Sequence, residues 1–186
     1  VVRLVGSEMC IRDRYTSGTT GKPKGVVRSH AGYYYLSKTT SEEINVKKSD
    51  NALLVMPLCH ANSFNFFCAY ITAGASVSIY SKKSFEAEHF FNAIRDNGAT
   101  FTSLVPTHFI ILLDYLKKIK NRWHLDRPFT FMISSAPVRI DTKKSILNHF
   151  KNAKLFELYG SSESGWVTML HPQEQFNNIG SVGKEC

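Results

Sequence analysis

A glycine-rich segment near the start of the chain combines residue types that could bind a phosphate. Residues 15–26 read YTSGTTGKPKGV, with three glycines, a run of hydroxyl side chains and two lysines. Glycines permit backbone conformations that turn several N–H groups toward one anion, while hydroxyls add donors and lysines add positive charge. The segment predicts a polyphosphate-binding loop. From composition alone, a solvated surface loop rich in turn-forming residues is the alternative.

The spacing differs from that of the P-loop nucleoside triphosphatases. Their GxxxxGK[ST] pattern would require a glycine at Thr16, and Pro23 stands where serine or threonine is required. An enzyme of that class is therefore disfavoured.

The order of residues in YTSGTTGKPKGV resembles the phosphate-loop signature of the AMP-forming adenylate superfamily. This superfamily includes acyl-CoA synthetases, the adenylation domains of peptide synthetases and firefly luciferases. Three further segments resemble its motifs in the same order: MPLCHANSFNFF (56–67), ISSAPVR (133–139) and LYGSSESG (158–165). A final stretch, IGSVGKEC, also resembles the family, so the resemblance covers essentially all of residues 15–186.

The resemblance implies roles for individual residues. Four are expected to be catalytic: Thr16, Lys24, His60 and Glu163. The residues expected to bind the nucleotide are Thr16, Ser17, Gly18, Thr19, Thr20, Gly21, Lys24, Ser135, Ala136, Pro137, Tyr159, Gly160 and Ser162. Tyr159 can stack on adenine, Ser162 can donate to the α-phosphate, and Glu163 is a hard oxygen ligand suited to Mg²⁺.

The chain departs from the family pattern at two places. Ser134 and Ser135 replace the usual glycines of a Gly-Gly-Ala-Pro turn, and serine restricts φ more than glycine does, so a simple strand-terminating turn is the alternative there. Ser162 stands where threonine is usual, and keeps the hydroxyl. For His60, implied to line the acyl pocket, the alternative is a hydrogen-bonded structural histidine.

The activity implied is a two-step ligation. A carboxylate attacks the α-phosphorus of ATP and releases pyrophosphate, and a thiol, that of coenzyme A, takes the acyl group from acyl-AMP. ATP, Mg²⁺ and CoA are thus the expected cofactors and co-substrates. Negative charge gathers on the leaving pyrophosphate, so donors from Thr16 to Lys24 and a Mg²⁺ held by Glu163 are expected to stabilise the transition state.

Within the family, we expect an acyl-CoA synthetase acting on a medium-chain, long-chain or bulky carboxylic acid. A mostly apolar pocket without an acidic residue is predicted from Asn62, Ser63, Phe64, Phe66, Phe67 and Trp166. The aromatic residues could instead pack a helix onto the sheet. An amino-acid or aryl-acid adenylation domain is the alternative function.

Composition is that of a globular protein: of 186 residues, 43% are hydrophobic and 20% charged, with a net charge of +8. This charge suggests a nucleic-acid-binding module as a further alternative, but the basic residues are scattered and no recognition motif appears. Four cysteines without metal-ligand spacing predict reduced thiols and a cytoplasmic protein. Polar residues and Pro57 interrupt the uncharged run 51–81, so no transmembrane segment is expected.

The first residues of the chain do not resemble the start of a natural protein segment. LVGSEMCIRDR, within residues 3–14, resembles a translated transposase adapter used in preparing sequencing libraries. We expect 1–14 to be a non-native leader and 15–186 to be part of the large N-terminal domain of an adenylate-forming enzyme. We expect the small C-terminal domain that the resemblance implies to lie outside this chain, which should therefore not ligate anything by itself.

Alternating apolar patterns predict an α/β fold, with layered, mostly parallel sheets flanked by helices and ligands outside the carboxyl ends of the strands. Strands are predicted at 52–56, 75–80, 100–105, 129–134 and 154–158, the last of these being the last clear strand. Helices are predicted at 63–72, 85–96, around 109–116, and at 142–152 with Asp141 as its N-cap.

Overall fold

The computed structural model describes residues 12–16, 24–120, 123, 125 and 127–186, with side chains from residue 25 onward. Strands β1 (Arg12–Thr16) and β2 (Lys24–Arg28) pair antiparallel as a two-stranded sheet. Helix α1 (His30–Glu43) follows, and the Ser29 hydroxyl caps it by accepting from the N–H of Gly32 at 3.0 Å. Helix α1 is absent from the elements predicted from the sequence.

The main sheet has seven strands within the described part of the chain. They are β3 (Asn51–Leu54), β4 (Ser76–Ile79), β5 (Phe101–Leu104), β6 (Phe129–Ile133), β7 (Ala153–Ser161), β8 (Gly165–Leu170) and β9 (Lys184–Glu185). The spatial order is β4-β3-β5-β6-β7-β8-β9. The strands from β4 to β7 in this order are parallel, whereas β8 and β9 are antiparallel to their neighbours.

Helices connect the parallel strands. They are α2 (Ala61–Thr72), α3 (Ala87–Asp96), α4 (Pro106–Lys118) and α5 (Ile140–His149), and a short 3-10 helix (Pro172–Glu174) follows β8. No helix in the described ranges combines the length and the apolar character that crossing a membrane requires.

The sheet has a hydrophobic core on each face. Alternate strand residues such as Leu53, Leu104 and Phe131 pack with α3, α4 and α5 on one face. The intervening residues, such as Leu54 and Met132, pack with α2 on the other, and α1 lies against α2. Strands buried on both faces read as near-continuous apolar runs, which is why periodicity located them.

The structure confirms the predicted α/β class and corrects two details. Each predicted strand is present, with ends within three residues of those expected. However, β7 is not the last strand, because β8 folds back on it after a tight turn at residues 162–164. Asp141 is not the N-cap of α5: the helix begins one residue earlier, at Ile140, after the extended Arg139, so Asp141 lies in its first turn.

A buried ion pair ties α5 to β7. The ammonium of Lys143 contacts the carboxylate of Glu157, and the two side chains are 1% and 7% exposed. Removing one partner of such a pair leaves a charge without compensation in a low-dielectric interior, whereas apolar residues in both places are tolerated. The pair therefore fixes α5 against the strand that continues into the edge described below.

We predict that Lys143→Met lowers the free energy of unfolding by about 3–5 kcal/mol. The double variant Lys143→Met/Glu157→Leu should recover most of this loss, since neither charge is then left buried. Urea unfolding followed by circular dichroism measures both. Lys144→Met, an exposed change on the same helix, is the control and should stay within about 0.5 kcal/mol of the unmodified chain.

Candidate active site

A cleft of about 230 Å³ lies where β6 and β7 end and α2 begins. In a parallel sheet the carboxyl ends of neighbouring strands meet at one edge, and ligands of such folds bind there. The residues that line the cleft come from three chain segments: His60, Ala61, Asn62, Asn65, Ser134, Ser135, Leu158, Gly160, Ser161, Ser162, Gly165 and Trp166. Three of the motifs found in the sequence thus share one cavity.

The turn between β7 and β8 is organised by Ser161. Its hydroxyl oxygen accepts from the backbone N–H groups of Glu163 at 3.2 Å and Ser164 at 3.0 Å. Such a side-chain-to-backbone turn is a local alternative to regular structure that serine favours. It leaves the Glu163 side chain exposed at the tip.

Arg28, at the end of β2, holds this turn from outside. Its guanidinium donates from Nη2 to the carbonyl oxygens of Glu163 at 2.8 Å and Ser162 at 3.2 Å. The strand that leaves the glycine-rich segment is thereby attached to the turn carrying Glu163. Arg28 is not among the predicted site residues, and its only signal in the sequence is its place four residues after Lys24.

Gly160 lies at a point of close backbone approach. The pairing of β7 with β8 shifts register between Tyr159 and Gly160, and a Cβ at Gly160 would lie 2.2 Å from the carbonyl oxygen of Gly165. Any larger residue would push the two strands apart. The glycine of the Tyr-Gly pair is therefore required by the close approach of the two strands, whatever ligand lies beside it.

The turn after β6 keeps a glycine-like conformation although serine occupies it. Ser135 has φ of 70°, in the left-handed region that a side chain disfavours. Ser134 beside it is buried, and its hydroxyl contacts those of Ser103 and Ser135 at 3.3 and 3.5 Å. Serine is expected to restrict φ at this turn, and Ser135 nevertheless adopts a positive φ, which places backbone strain in the turn.

His60 has a structural role as well as a position in the cleft. It is the N-cap of α2, and its Nδ1 accepts from the N–H of Asn62 at 3.3 Å. In the neutral ring the proton is then on Nε2. The two interpretations left open by the sequence are thus compatible.

The aromatic residues predicted to line the acyl pocket pack in different places. Phe66 is fully buried, with its ring centroid 4.7 Å from that of Phe101 and 5.0 Å from that of Trp166. It packs the helix onto the sheet, as the alternative interpretation held. Trp166 lines the cleft, and Phe64 instead meets the ring of Tyr33 edge to face.

The predicted nucleotide and metal residues fall into three groups. Ser135, Gly160 and Ser162 line the cleft together with His60. A second group lies beside the cleft in exposed positions that do not line it, in the turn after β6, near the end of β7 and in the turn at residues 162–164: Ala136, Pro137, Tyr159 and Glu163. Tyr159 is 54% exposed.

The glycine-rich segment contributes the third group. Ser17, Gly18, Thr19, Thr20 and Gly21 lie outside the described residues, as do the side chains of Thr16 and Lys24. The backbones of Thr16 and Lys24 pair across β1 and β2, which brings both ends of the loop together.

The chain belongs to the family described as AMP-binding enzyme, whose model matches residues 14–186. This confirms the resemblance to adenylate-forming enzymes.

Individual relatives are CoA ligases. The chain is 28% identical over 173 residues to a 2-succinylbenzoate–CoA ligase of Oceanobacillus iheyensis, covering 91% of this chain and 34% of the relative. It is 32% identical over 162 residues to 4-coumarate–CoA ligase 1 of Solanum tuberosum, covering 84% and 29%. The fold superposes with a TM-score of 0.80 and 23% identity on O-succinylbenzoate coenzyme A synthetase of Bacillus subtilis in complex with ATP and magnesium ion, covering 93% of this chain and 35% of that one. The chain spans about a third of the length of these proteins.

We predict that Arg28→Lys loosens the turn at residues 162–164. Both hydrogen bonds come from Nη2, and a lysine side chain ends one atom short of that position, so its ammonium cannot reach both carbonyls from β2. Hydrogen–deuterium exchange of peptides covering residues 158–166 should become several-fold faster. Arg95→Lys, on the exposed surface of α3, is the control. Unchanged exchange in the Arg28 variant would show that the turn holds without it.

We also predict that Ser135→Gly raises the free energy of unfolding by up to about 1 kcal/mol, because glycine adopts positive φ without steric strain. The control is Ser49→Gly, at an exposed turn residue without positive φ, where added backbone freedom should lower stability. Urea denaturation measures both variants. A loss of stability on Ser135→Gly would contradict the strain inferred from φ.

Proposed function

We propose that this chain is part of an acid–thiol ligase that converts a carboxylic acid to acyl-AMP with ATP and then transfers the acyl group to coenzyme A. The observation that carries the proposal is the cleft in which the Ser134–Ser135 turn, the Gly160–Ser162 turn and His60 meet. Arg28 attaches the arm of the phosphate-binding segment to the same place. Family membership adds the expectation of a bound adenylate.

The nucleotide is proposed to lie along the two turns. Backbone groups of Ser135, Ala136 and Pro137 would follow the adenine, and the half-exposed ring of Tyr159 is available to stack on it. Ser162 would donate to the α-phosphate. The loop residues from Thr16 to Gly21, with Lys24, would surround the remaining phosphates with N–H, hydroxyl and ammonium donors.

Glu163 is proposed to hold Mg²⁺ together with the phosphates. Among the described residues no group of three or more His, Cys, Asp and Glu side chains is placed to hold a metal ion. A single exposed carboxylate fits Mg²⁺ nonetheless, because this ion usually keeps several waters and is bound by one or two carboxylates plus substrate phosphates. When bound, the ion would stabilise negative charge on the leaving pyrophosphate.

The acid is proposed to enter the cleft between His60 and Trp166. The relatives reported above are named for 2-succinylbenzoate and 4-coumarate, and Phe66 is withdrawn into the core. These points favour a bulky, ring-containing acid over a medium or long aliphatic chain. We further propose that residues 1–14 are a non-native leader, that a separate C-terminal domain completes the enzyme, and that the enzyme is cytoplasmic.

We predict that a full-length protein containing this chain catalyses acid-dependent exchange of pyrophosphate into ATP. Glu163→Gln removes the carboxylate proposed to hold Mg²⁺ and should lower the exchange rate by about 10² or more. Tyr159→Ala should mainly raise the KM for ATP. Radiolabelled pyrophosphate exchange measures both effects.

Two exposed positions that do not line the cleft supply matched controls. Glu88→Gln, on α3, and Tyr35→Ala, on α1, should leave exchange unchanged. The isolated chain should show no exchange. If the full-length protein exchanged pyrophosphate equally well with and without Glu163, the proposed site would be wrong.

A further inference from the structure

A second cavity, of about 170 Å³, lies at the end of the main sheet opposite the candidate active site. It is lined by the loop that joins α1 to β3 and by the first residues of β6 and β7, whereas the cleft lies where β6 and β7 end. Four residues of a strand, such as those from Thr130 to Ser134, span about 13 Å, which separates the two cavities. Polar residues in the lining of the second cavity include Lys47, Asp50, Tyr70, Thr130, Asn152 and Lys154.

Tyr70, in the last turn of α2, lines this cavity with a hydroxyl that has no hydrogen bond to the described residues. The residue is only 3% exposed, and its ring packs on that of Phe101 with the centroids 5.2 Å apart. The hydroxyl is not among the described polar atoms that are sealed from solvent without a partner, so it is reached through the cavity. Burial, and secondly the nearby carboxylate of Asp50, raises the pKa of Tyr70, so the phenol stays protonated and can donate.

Two lysines supply positive charge to the same cavity. Lys47 lies in the loop before β3, Lys154 is the second residue of β7, and both are exposed. Neither forms a salt bridge with an acidic residue in the part of the chain that the structure describes. Lys154 stands opposite Thr130 in the parallel register of β6 and β7, so both side chains lie on one face of the sheet.

Asp50 is the one acidic residue in the described lining, and both of its carboxylate oxygens already accept hydrogen bonds. Oδ2 accepts from the backbone N–H of Lys47 at 2.8 Å, and Oδ1 accepts from the hydroxyl of Thr100 at 3.0 Å. These bonds hold the loop, and with it Lys47, beside the cavity. Two lysines and one aspartate leave the described lining with one net positive charge, and this charge favours an anion over a cation.

We infer that this cavity binds a phosphate group, either as free orthophosphate or as the phosphate of a small ester. Donors come from α2, the loop before β3 and the sheet, and a tetrahedral anion accepts from more of them than the two oxygens of a carboxylate can. These donors are the ammonium groups of Lys47 and Lys154, the hydroxyls of Tyr70 and Thr130, and the amide of Asn152. The volume is below the roughly 300–1,000 Å³ of pockets that enclose drug-sized ligands, so the cavity suits a small group. The site goes beyond the proposed ligase function and does not depend on it.

The test follows hydrogen–deuterium exchange in the full-length protein while sodium phosphate replaces sodium chloride at constant ionic strength. Peptides covering residues 44–50 report on the cavity, and peptides covering residues 158–166 report separately on the candidate active site. With millimolar phosphate, exchange in 44–50 should become several-fold slower, because a ligand that bridges the loop to the sheet opposes local opening. Sodium acetate at the same ionic strength should leave exchange in 44–50 unchanged.

Tyr70→Phe removes one hydroxyl and keeps the buried ring. It should raise the phosphate concentration at half-maximal protection by about tenfold, because a hydrogen bond to a charged group is lost. Lys154→Met should raise this concentration as well. Tyr35→Phe and Lys118→Met, at exposed positions on α1 and α4, are the matched controls and should leave it unchanged. If Tyr70→Phe does not fold, Thr130→Val takes its place with the same expected direction.

Orthophosphate and glycerol 3-phosphate distinguish the two sources of the phosphate group. Equal protection by both indicates that the phosphate alone is recognised, and protection at a much lower concentration of the ester indicates a ligand that brings further atoms into the cavity. The inference is overturned if neither compound slows exchange in 44–50 more than chloride or acetate does. It is also overturned if the protection survives both Tyr70→Phe and Lys154→Met. None of these results decides the ligase function, which pyrophosphate exchange tests.

Discussion

The parallel alignment of β6 and β7 is the constraint on which the candidate site depends. Their register places Ile133 opposite Glu157, so the segments that follow, Ser134–Ser135 and Leu158–Ser162, leave the sheet at the same edge. Packing in the cores on the two faces of the sheet keeps both strands in this register. The buried pair of Lys143 and Glu157 adds a point of attachment to α5 at the last residue of the shared register. Without that alignment, three motifs distant in sequence would not share a cavity.

Much of this arrangement could be predicted from sequence because it depends on local patterns. Apolar runs fixed the parallel strands, helical spacing fixed α3 and α4, and Gly74, with φ of 74°, ends α2 where the turn residue indicated. The edge at which the motifs meet follows from strand direction alone. Helix α1 was missed because its apolar stripe is weak, with Ser37 and Thr40 as its buried residues.

Tertiary partners account for what the sequence could not provide. Arg28 donates to two backbone carbonyl oxygens. Every residue has such a carbonyl, so the residue types in the sequence do not identify these acceptors. Strand β8 pairs with β7 across a turn that the Ser161 hydroxyl stabilises. From sequence, the turn-forming serines predict the end of the sheet, whereas in the structure the chain reverses there and adds another strand. Likewise Asn62 and Phe66 lie on the same helix, yet only the fold shows that one faces the cleft and the other the core.

The cleft combines rigid backbone with few charges, and this bears on how it would discriminate among ligands. Gly160 permits close strand approach and Ser135 holds a strained turn, so the side of the cleft nearest β6 and β7 is shaped by backbone that tolerates little substitution. The opposite wall is made of side chains on α2, where a change of residue alters polarity and leaves the sheet intact. Substitutions at 62 and 65 can therefore alter the polarity of this wall while the backbone of the two turns is kept.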